Sequence, residues 1–293
     1  MTIYSQQDSN VRKTWLLITI FFSLVIGLGF IFAQIYNNPG LLYFAVGFSI
    51  LSNIFSYWYS DKIVLAMSRA RPATREEFFD VYTVCEKLRN KAGLPMPKLY
   101  IIDDPAPNAF ATGRDKDHAV VCVTRGLADM MDRTELQGVI SHELSHIGNR
   151  DILLSTVGVV LVGFISILSD LFLRSRIHGD RDSKAGGYLL ILGFVLAILA
   201  PIVATLIRLA VSRQREFLAD ASGSLLTRNP EGLARALQKL GTYSRPLESA
   251  SNATAHLFIT NPFGAGASSG LHKLFMTHPP IEERVKALRD LKM

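Results

Sequence analysis

The chain has 293 residues, of which 49% are hydrophobic and 19% charged, with a formal net charge of +6 and a mean hydropathy of +0.24. A soluble domain carries about 25% charged residues; the deficit here is concentrated in a few long uncharged runs, which excludes an ordinary soluble globular protein. The basic excess needs no nucleic acid, because lysine and arginine beside anionic lipid account for it.

The first two runs, Thr14–Tyr36 and Asn37–Ser60, carry no charge and are separated by the turn-like "NNPG". Each exceeds the ~20 apolar residues that cross a bilayer. The first is longer than the core of a signal peptide, so it is read as an uncleaved span. Arg12 and Lys13 precede the pair, and Lys62, Arg69, Arg71 and Arg75 follow it. A hairpin with both outer flanks in the cytoplasm fits this distribution.

Residues 61–151 are patterned as a polar globular block. The stretch 75–93 has Phe78, Phe79, Tyr82, Cys85 and Leu88 at helical spacing and ends at Gly93. "KLYII" (98–102) reads as a strand, and "AFATG" and "HAVVCVT" around "RDKD" read as a hairpin. A short helix is expected near 124–131 and a longer one over about 135–149, opened by a capping box of Thr134 and Gln137. Cys85 and Cys122 lie in no metal-type spacing and give no disulfide scaffold, in keeping with a reducing cytoplasmic face.

Two further runs follow. Ile152–Ser169 is uncharged until Asp170, and Ala185–Ile207 contains Pro201. Both are expected to span, although the basic linker 174–186 would then lie outside, against the positive-inside tendency. The last block, 208–293, is polar: helices are expected over 215–229 and 230–244, a flexible loop at "NPFGAGASSG", and a closing helix after the prolines of "HPPIEER".

The chemistry centres on "SHELSHIGNRD" (141–151). Four residues of helix turn 400°, so His142 and His146 project in nearly the same direction and one zinc ion can take a ring nitrogen from each. Glu143 stands about 100° to the side, where a general base belongs. Leu136, Ile140, Leu144 and Ile147 form the opposite, apolar stripe. Catalytic zinc needs a third protein ligand. "RQREFLADASG" (213–223) offers Glu216 and Asp220 four apart, the first as ligand and the second as acceptor for a ligand histidine's other N–H. A solvated charged helix face would carry the same residues, and spacing alone leaves both readings open. His118, His178, His256 and His272 sit in no ligand spacing and are read as structural or exposed.

"SHELSHIGNRD", "RQREFLADASG" and "THPPIEER" occur in that order around hydrophobic spans. In this the chain resembles the HtpX-type membrane metallopeptidases, relatives of the CAAX prenyl-protease zinc enzymes, over nearly its whole length. The resemblance implies that His142, His146 and Glu216 bind one Zn2+ and that Glu143 is the catalytic base. It implies contact with substrate and stabilisation of the developing oxyanion near the metal for His278 and Arg284. The alternative for that pair is a proline-bounded helix start with a surface arginine. "PNAFATG" also resembles the family; Asn108, Ala109 and Phe110 would line an extended substrate at a strand edge, unless they belong to an ordinary hairpin strand.

The fold expected is a mainly α membrane protein: four hydrophobic helices plus a cytoplasmic gluzincin-like α+β protease domain with a small sheet. Its parts are an N-terminal hairpin (1–60), a protease block (61–151), a second helix pair (152–207) and a C-terminal protease block (208–293). The expected protein is a multi-pass zinc endopeptidase of the bacterial inner membrane, its site facing the cytoplasm. By the resemblance it cleaves misfolded or damaged membrane proteins under stress, in interplay with other membrane quality-control proteases. Membrane proteins, unfolded polypeptides and the bilayer are its expected partners, with no nucleic acid. A prenyl-CAAX processing peptidase shares the chemistry but usually has more spans. A non-catalytic zinc scaffold would have no use for Glu143, and a transporter is disfavoured by the lack of paired intramembrane charges.

Overall fold

A computed structural model describes residues 3–35, 37–161, 213–251, 253–264 and 279–291. Two long helices come first, α1 (Ile3–Ile35) and α2 (Gly40–Met67), joined by a short turn. Each contains a stretch long and apolar enough to cross a membrane, Asn10–Gln34 and Gly40–Met67. They pack closely: a methyl added at Gly29 would collide with the Ala45 side chain. Trp15, Leu16, Phe44, Leu51 and Phe55 stay exposed, as side chains facing lipid would be.

Next come β1 (Arg71–Pro72), α3 (Phe79–Ala92), β2 (Lys98–Ile102), β3 (Ala109–Gly113) and β4 (Ala119–Thr124). α3 stops where Gly93, at φ 64°, takes the left-handed conformation that closes a helix. The four strands form a mixed sheet in the order β1-β2-β4-β3, with β2 and β4 parallel and the other pairs antiparallel. β3 and β4 are the hairpin expected around "RDKD".

β4 is buried along its whole length, so both faces of the sheet are covered. Side chains alternate between the faces, as a strand requires. Val121 and Val123 join Leu99, Ile101, Ala109 and Ala111 in a core shared with the protease helices. Val120 and Cys122 join Ile102 and Phe110 in a second core with Val64 and Leu65 of α2, Val159 and Phe258. The sheet is thus the layer between the soluble helices and the end of the second span.

The remaining helices are α4 (Arg125–Met130), α5 (Arg133–Gly148), α6 (Asp151–Leu161), α7 (Arg213–Thr227), α8 (Pro230–Thr242) and α9 (Ile281–Arg289). α5 starts two residues earlier than expected and is capped by Asp132 and Glu135, not by Thr134 and Gln137. The Asp132 carboxylate accepts from the Thr134 and Glu135 backbone N–H groups at 2.7 and 2.9 Å, and Glu135 accepts from the Asp132 N–H at 2.9 Å. Both residue pairs have the i, i+3 pattern; aspartate, with its charge, cooperates better with the helix N-terminus.

The third hydrophobic run is helical from its start to Leu161. Its remainder and the whole fourth run lie outside the described residues. So do the linker 174–186 and much of the glycine-rich loop.

Candidate metal centre

His142, Glu143 and His146 stand on α5, which is buried on nearly every side. Leu136, Ile140, Leu144 and Ile147 pack into the main core, as the apolar stripe requires. The histidine side is covered by α7. Close approach is possible because α7 carries Gly223: a methyl there would stand 2.9 Å from Ser141 Oγ and 3.0 Å from the His142 backbone nitrogen.

One ligand-type atom from each of His142, His146 and Glu216 lies within 4.8 Å of the others. The two imidazoles are perpendicular with centroids 4.7 Å apart. Their Nε2 atoms are separated by 3.1 Å, and each is 3.7 Å from a Glu216 carboxylate oxygen. Each ring turns its Nδ1 to a carboxylate: His142 to Asp220 Oδ1 at 2.9 Å, His146 to Asp151 Oδ2 at 3.1 Å. A carboxylate at each Nδ1 favours the tautomer with its proton there, so that the neutral rings would turn their Nε2 lone pairs toward each other and toward Glu216. Such a donor set fits a divalent cation of the zinc type, with nitrogen and oxygen ligands.

Burial and the neighbouring charges shift these groups in different directions. Burial works against a charge on His146, but Glu216 and Asp151 outweigh it and raise the imidazole to about 9. Burial lowers His142 to about 4, with Asp220 opposing. Burial also works to raise the Asp220 carboxyl, yet Arg284 and His142 hold it down at about 2. Glu143 is raised by burial to about 7.

Glu143 shares its cavity with Ala111 of β3. Glu143, His146, Glu216, Ala111, Asp151, Arg215 and His256 line a small cavity of about 20 Å3, room for about one water.

Arg284 is fully buried. Its Nε and Nη2 donate to the two Asp220 oxygens at 2.9 and 2.7 Å, and its Nη1 donates to the Ile259 carbonyl at 3.0 Å. The guanidinium also lies 3.4 Å from His142 Nδ1. It stands behind the Asp220 carboxylate. His278 lies outside the described residues.

Asn108, Ala109 and Phe110 are buried and have partners within the chain. Asn108 Nδ2 donates to the Thr260 carbonyl at 3.1 Å, the Ala109 carbonyl accepts from the Ile259 N–H at 2.9 Å, and Phe110 packs edge-to-face on Phe258 with centroids 5.1 Å apart. The segment 258–260 thus occupies the part of the β3 edge assigned from the sequence to a substrate.

Two residues at the cavity were missed. Asp151 closes the very motif that drew attention, but it lies beyond the end of α5, where helical spacing carries no information. Arg150, at φ 58°, turns the chain so that α6 starts with Asp151 folded back onto His146. His256 arrives from a distant loop, its Nε2 donating to the Ser155 carbonyl at 3.1 Å.

Residues 75–292 match the sequence model of "Peptidase family M48". The chain is 48% identical over 299 residues to a "Protease HtpX homolog" of Caldanaerobacter subterraneus subsp. tengcongensis, covering 99% of this chain and 98% of that protein. A second "Protease HtpX homolog", from Thermoanaerobacter pseudethanolicus, is 48% identical over 301 residues, with 100% and 99% covered. A third, from Dictyoglomus turgidum, is 46% identical over 291 residues, with 98% and 94% covered. Among solved structures, S. mikatae Ste24p is similar in fold: TM-score 0.51 and 17% identity over 97% of this chain and 67% of that one. Near-full-length identity at this level, joined to the family match and two membrane-capable helices, makes this chain a member of peptidase family M48, an HtpX-type membrane metalloprotease.

Proposed function

We propose that this metalloprotease cleaves polypeptides at the cytoplasmic surface of the bacterial inner membrane, with His142, His146 and Glu216 holding one zinc ion and Glu143 as general base. The observation that carries the reading is the convergence of three ligand-type atoms within 4.8 Å, beside a buried glutamate in the same cavity. A bound zinc ion would supply Lewis acidity toward the scissile carbonyl.

The protein's own groups supply the rest. Ala111 of β3 lines the cavity beside the Glu143 carboxylate. Glu143 takes the proton of the attacking water and passes it to the leaving amine, a task suited to a buried carboxylate in the same cavity as the ligand atoms. Asp220 and Asp151 orient the two imidazoles, and Arg284 holds Asp220 in place. His278 is assigned contact with the substrate carbonyl. An extended substrate would lie along the β3 edge at Asn108, Ala109 and Phe110 once 258–260 yields that place.

A contact of α1 supports this placement of the site. Asn10, at the N-terminal end of the first span, touches Asp151. The site therefore shares a membrane side with Arg12 and Lys13, which the positive-inside tendency assigns to the cytoplasm. The arrangement proposed is the hairpin 1–60, the protease blocks 61–151 and 208–293, and a second spanning pair within 152–207. Likeness to the HtpX proteases extends the proposal to removal of damaged or misfolded membrane proteins, alongside other quality-control proteases.

The test uses the full chain in detergent with an unfolded casein substrate. Chelation is expected to abolish cleavage and zinc to restore it, while Glu143→Gln keeps bound zinc and loses cleavage by about 100-fold or more. Wild-type cleavage by Glu143→Gln would remove the base assignment.

A further inference from the structure

Asn10 is the first residue of the first candidate span, yet its side chain is 1% exposed and bonded on every side. Its Nδ2 donates to the Asn149 carbonyl at 3.2 Å and to Asp151 Oδ1, and its Oδ1 accepts from Arg215 Nη1 at 3.2 Å. Arg215 Nη1 is also 3.5 Å from Asp151 Oδ1. The other Asp151 oxygen, Oδ2, faces His146 Nδ1 at 3.1 Å. Asp151 and Arg215 are as deeply buried as Asn10. One hydrogen-bonded line therefore runs from the membrane helix to an imidazole of the metal centre.

The chemistry of the line is directional. By accepting the Nδ1 proton, Asp151 Oδ2 leaves the His146 Nε2 lone pair for the cation and fixes the ring. A carboxylate does this well only if its second oxygen is fixed too. The groups fixing it are an amide from α1 and a guanidinium from α7, the helix that carries Glu216. A buried amide costs free energy unless bonded, and here two of its three contacts go to Asp151 and Arg215, the third to the Asn149 carbonyl.

We propose that Asn10 and Asp151 are positioning residues for His146, so that the first membrane helix is a working part of the metal centre and not only an anchor. The proposal rests on the reading of His142, His146 and Glu216 as the zinc ligands. Its test uses the full chain in detergent. Zinc affinity is measured by competition with a chromophoric chelator, and geometry by the visible spectrum of the cobalt-substituted protein.

Asp151→Ala is expected to weaken zinc binding by about 10–100-fold and Asn10→Ala by about 3–10-fold, both with an altered cobalt spectrum. The double variant is expected to bind no more weakly than Asp151→Ala alone, because the two act through one path. Leu16→Ala, on the lipid-facing side of α1, leaves both readouts at wild-type values. Should Asn10→Ala not fold, Asn10→Gln and Asp151→Asn carry the test, each with weakened zinc binding. Zinc affinity and cobalt spectrum unchanged in the Asn10 and Asp151 variants would overturn the proposal, as would additive losses in the double variant. If His146→Ala loses zinc in the same series, the ligand reading stands without the proposal; if His146→Ala keeps wild-type affinity, the ligand reading itself falls.

Discussion

The Arg284 guanidinium grips the Asp220 carboxylate through two nitrogens, at 2.9 and 2.7 Å, in a place where neither side chain meets solvent. Asp220 in turn holds His142 at 2.9 Å. A planar fork matched to a carboxylate is something lysine cannot reproduce. Arg284→Met is expected to leave a buried, unpartnered charge and to cost about 3–5 kcal/mol. Arg284→Lys should be intermediate in stability but still bind zinc more weakly. Denaturant melts of the two variants, with and without zinc, check both statements.

Gly223 has a comparable importance without any side chain. A methyl there would meet Ser141 and the His142 backbone at about 3 Å. Gly223→Ala must push α7 from α5 or bend it, costing about 1–3 kcal/mol as overpacking does. Because Glu216 rides on α7, the loss of cleavage should exceed what the stability loss explains. Activity measured well below the variant's melting temperature separates the two effects.

Removal of zinc should lower the melting temperature of the wild-type chain, since a ligand that binds only the folded state stabilises it by mass action. His142→Ala and Glu216→Ala should show little further change on chelation. A calorimetric scan with and without chelator tests this in all three proteins.

Asp103 offers a pH prediction far from the metal centre. It is bonded to Arg71 and Arg125, and these hold its carboxyl down at about 2, Arg71 most strongly. A depressed carboxyl stabilises the fold above its unfolded pKa of about 4. That stability is lost as the pH falls from about 4 toward 2. In melts between pH 6 and pH 2.5, Asp103→Asn should start lower than wild type and converge on it at the acid end. Parallel curves would show that the cluster is too solvated to matter.

Much of what depends on a regular short period was legible in the sequence. The pairing of His142 with His146, the β3–β4 hairpin and the two N-terminal helices follow from periods of 3.6 and 2 and from composition. Contacts across long sequence distances were a different matter. Asp220 and Glu216 could equally have formed a solvated face; only the packing of α7 on α5 through Gly223 turns them inward. The partnership of Asp151 with His146 depends on one left-handed residue, Arg150, and that of Asn10 with Asp151 on a separation of 141 residues. No local period reports either. The capping box was placed two residues late because two overlapping i, i+3 pairs fit the same rule, and charge at the helix start decided between them.

The β3 edge carries a last consequence. Ile259 is hydrogen-bonded to Ala109, and Asn108 latches onto Thr260. On the proposed reading of this edge, a guest strand would have to evict a resident of the same chain. Compact, hydrogen-bonded proteins have no loose backbone with which to compete, whereas a chain that has lost its own pairing does. The enzyme's discrimination would then reside in a contest of strands, decided before any bond is cut.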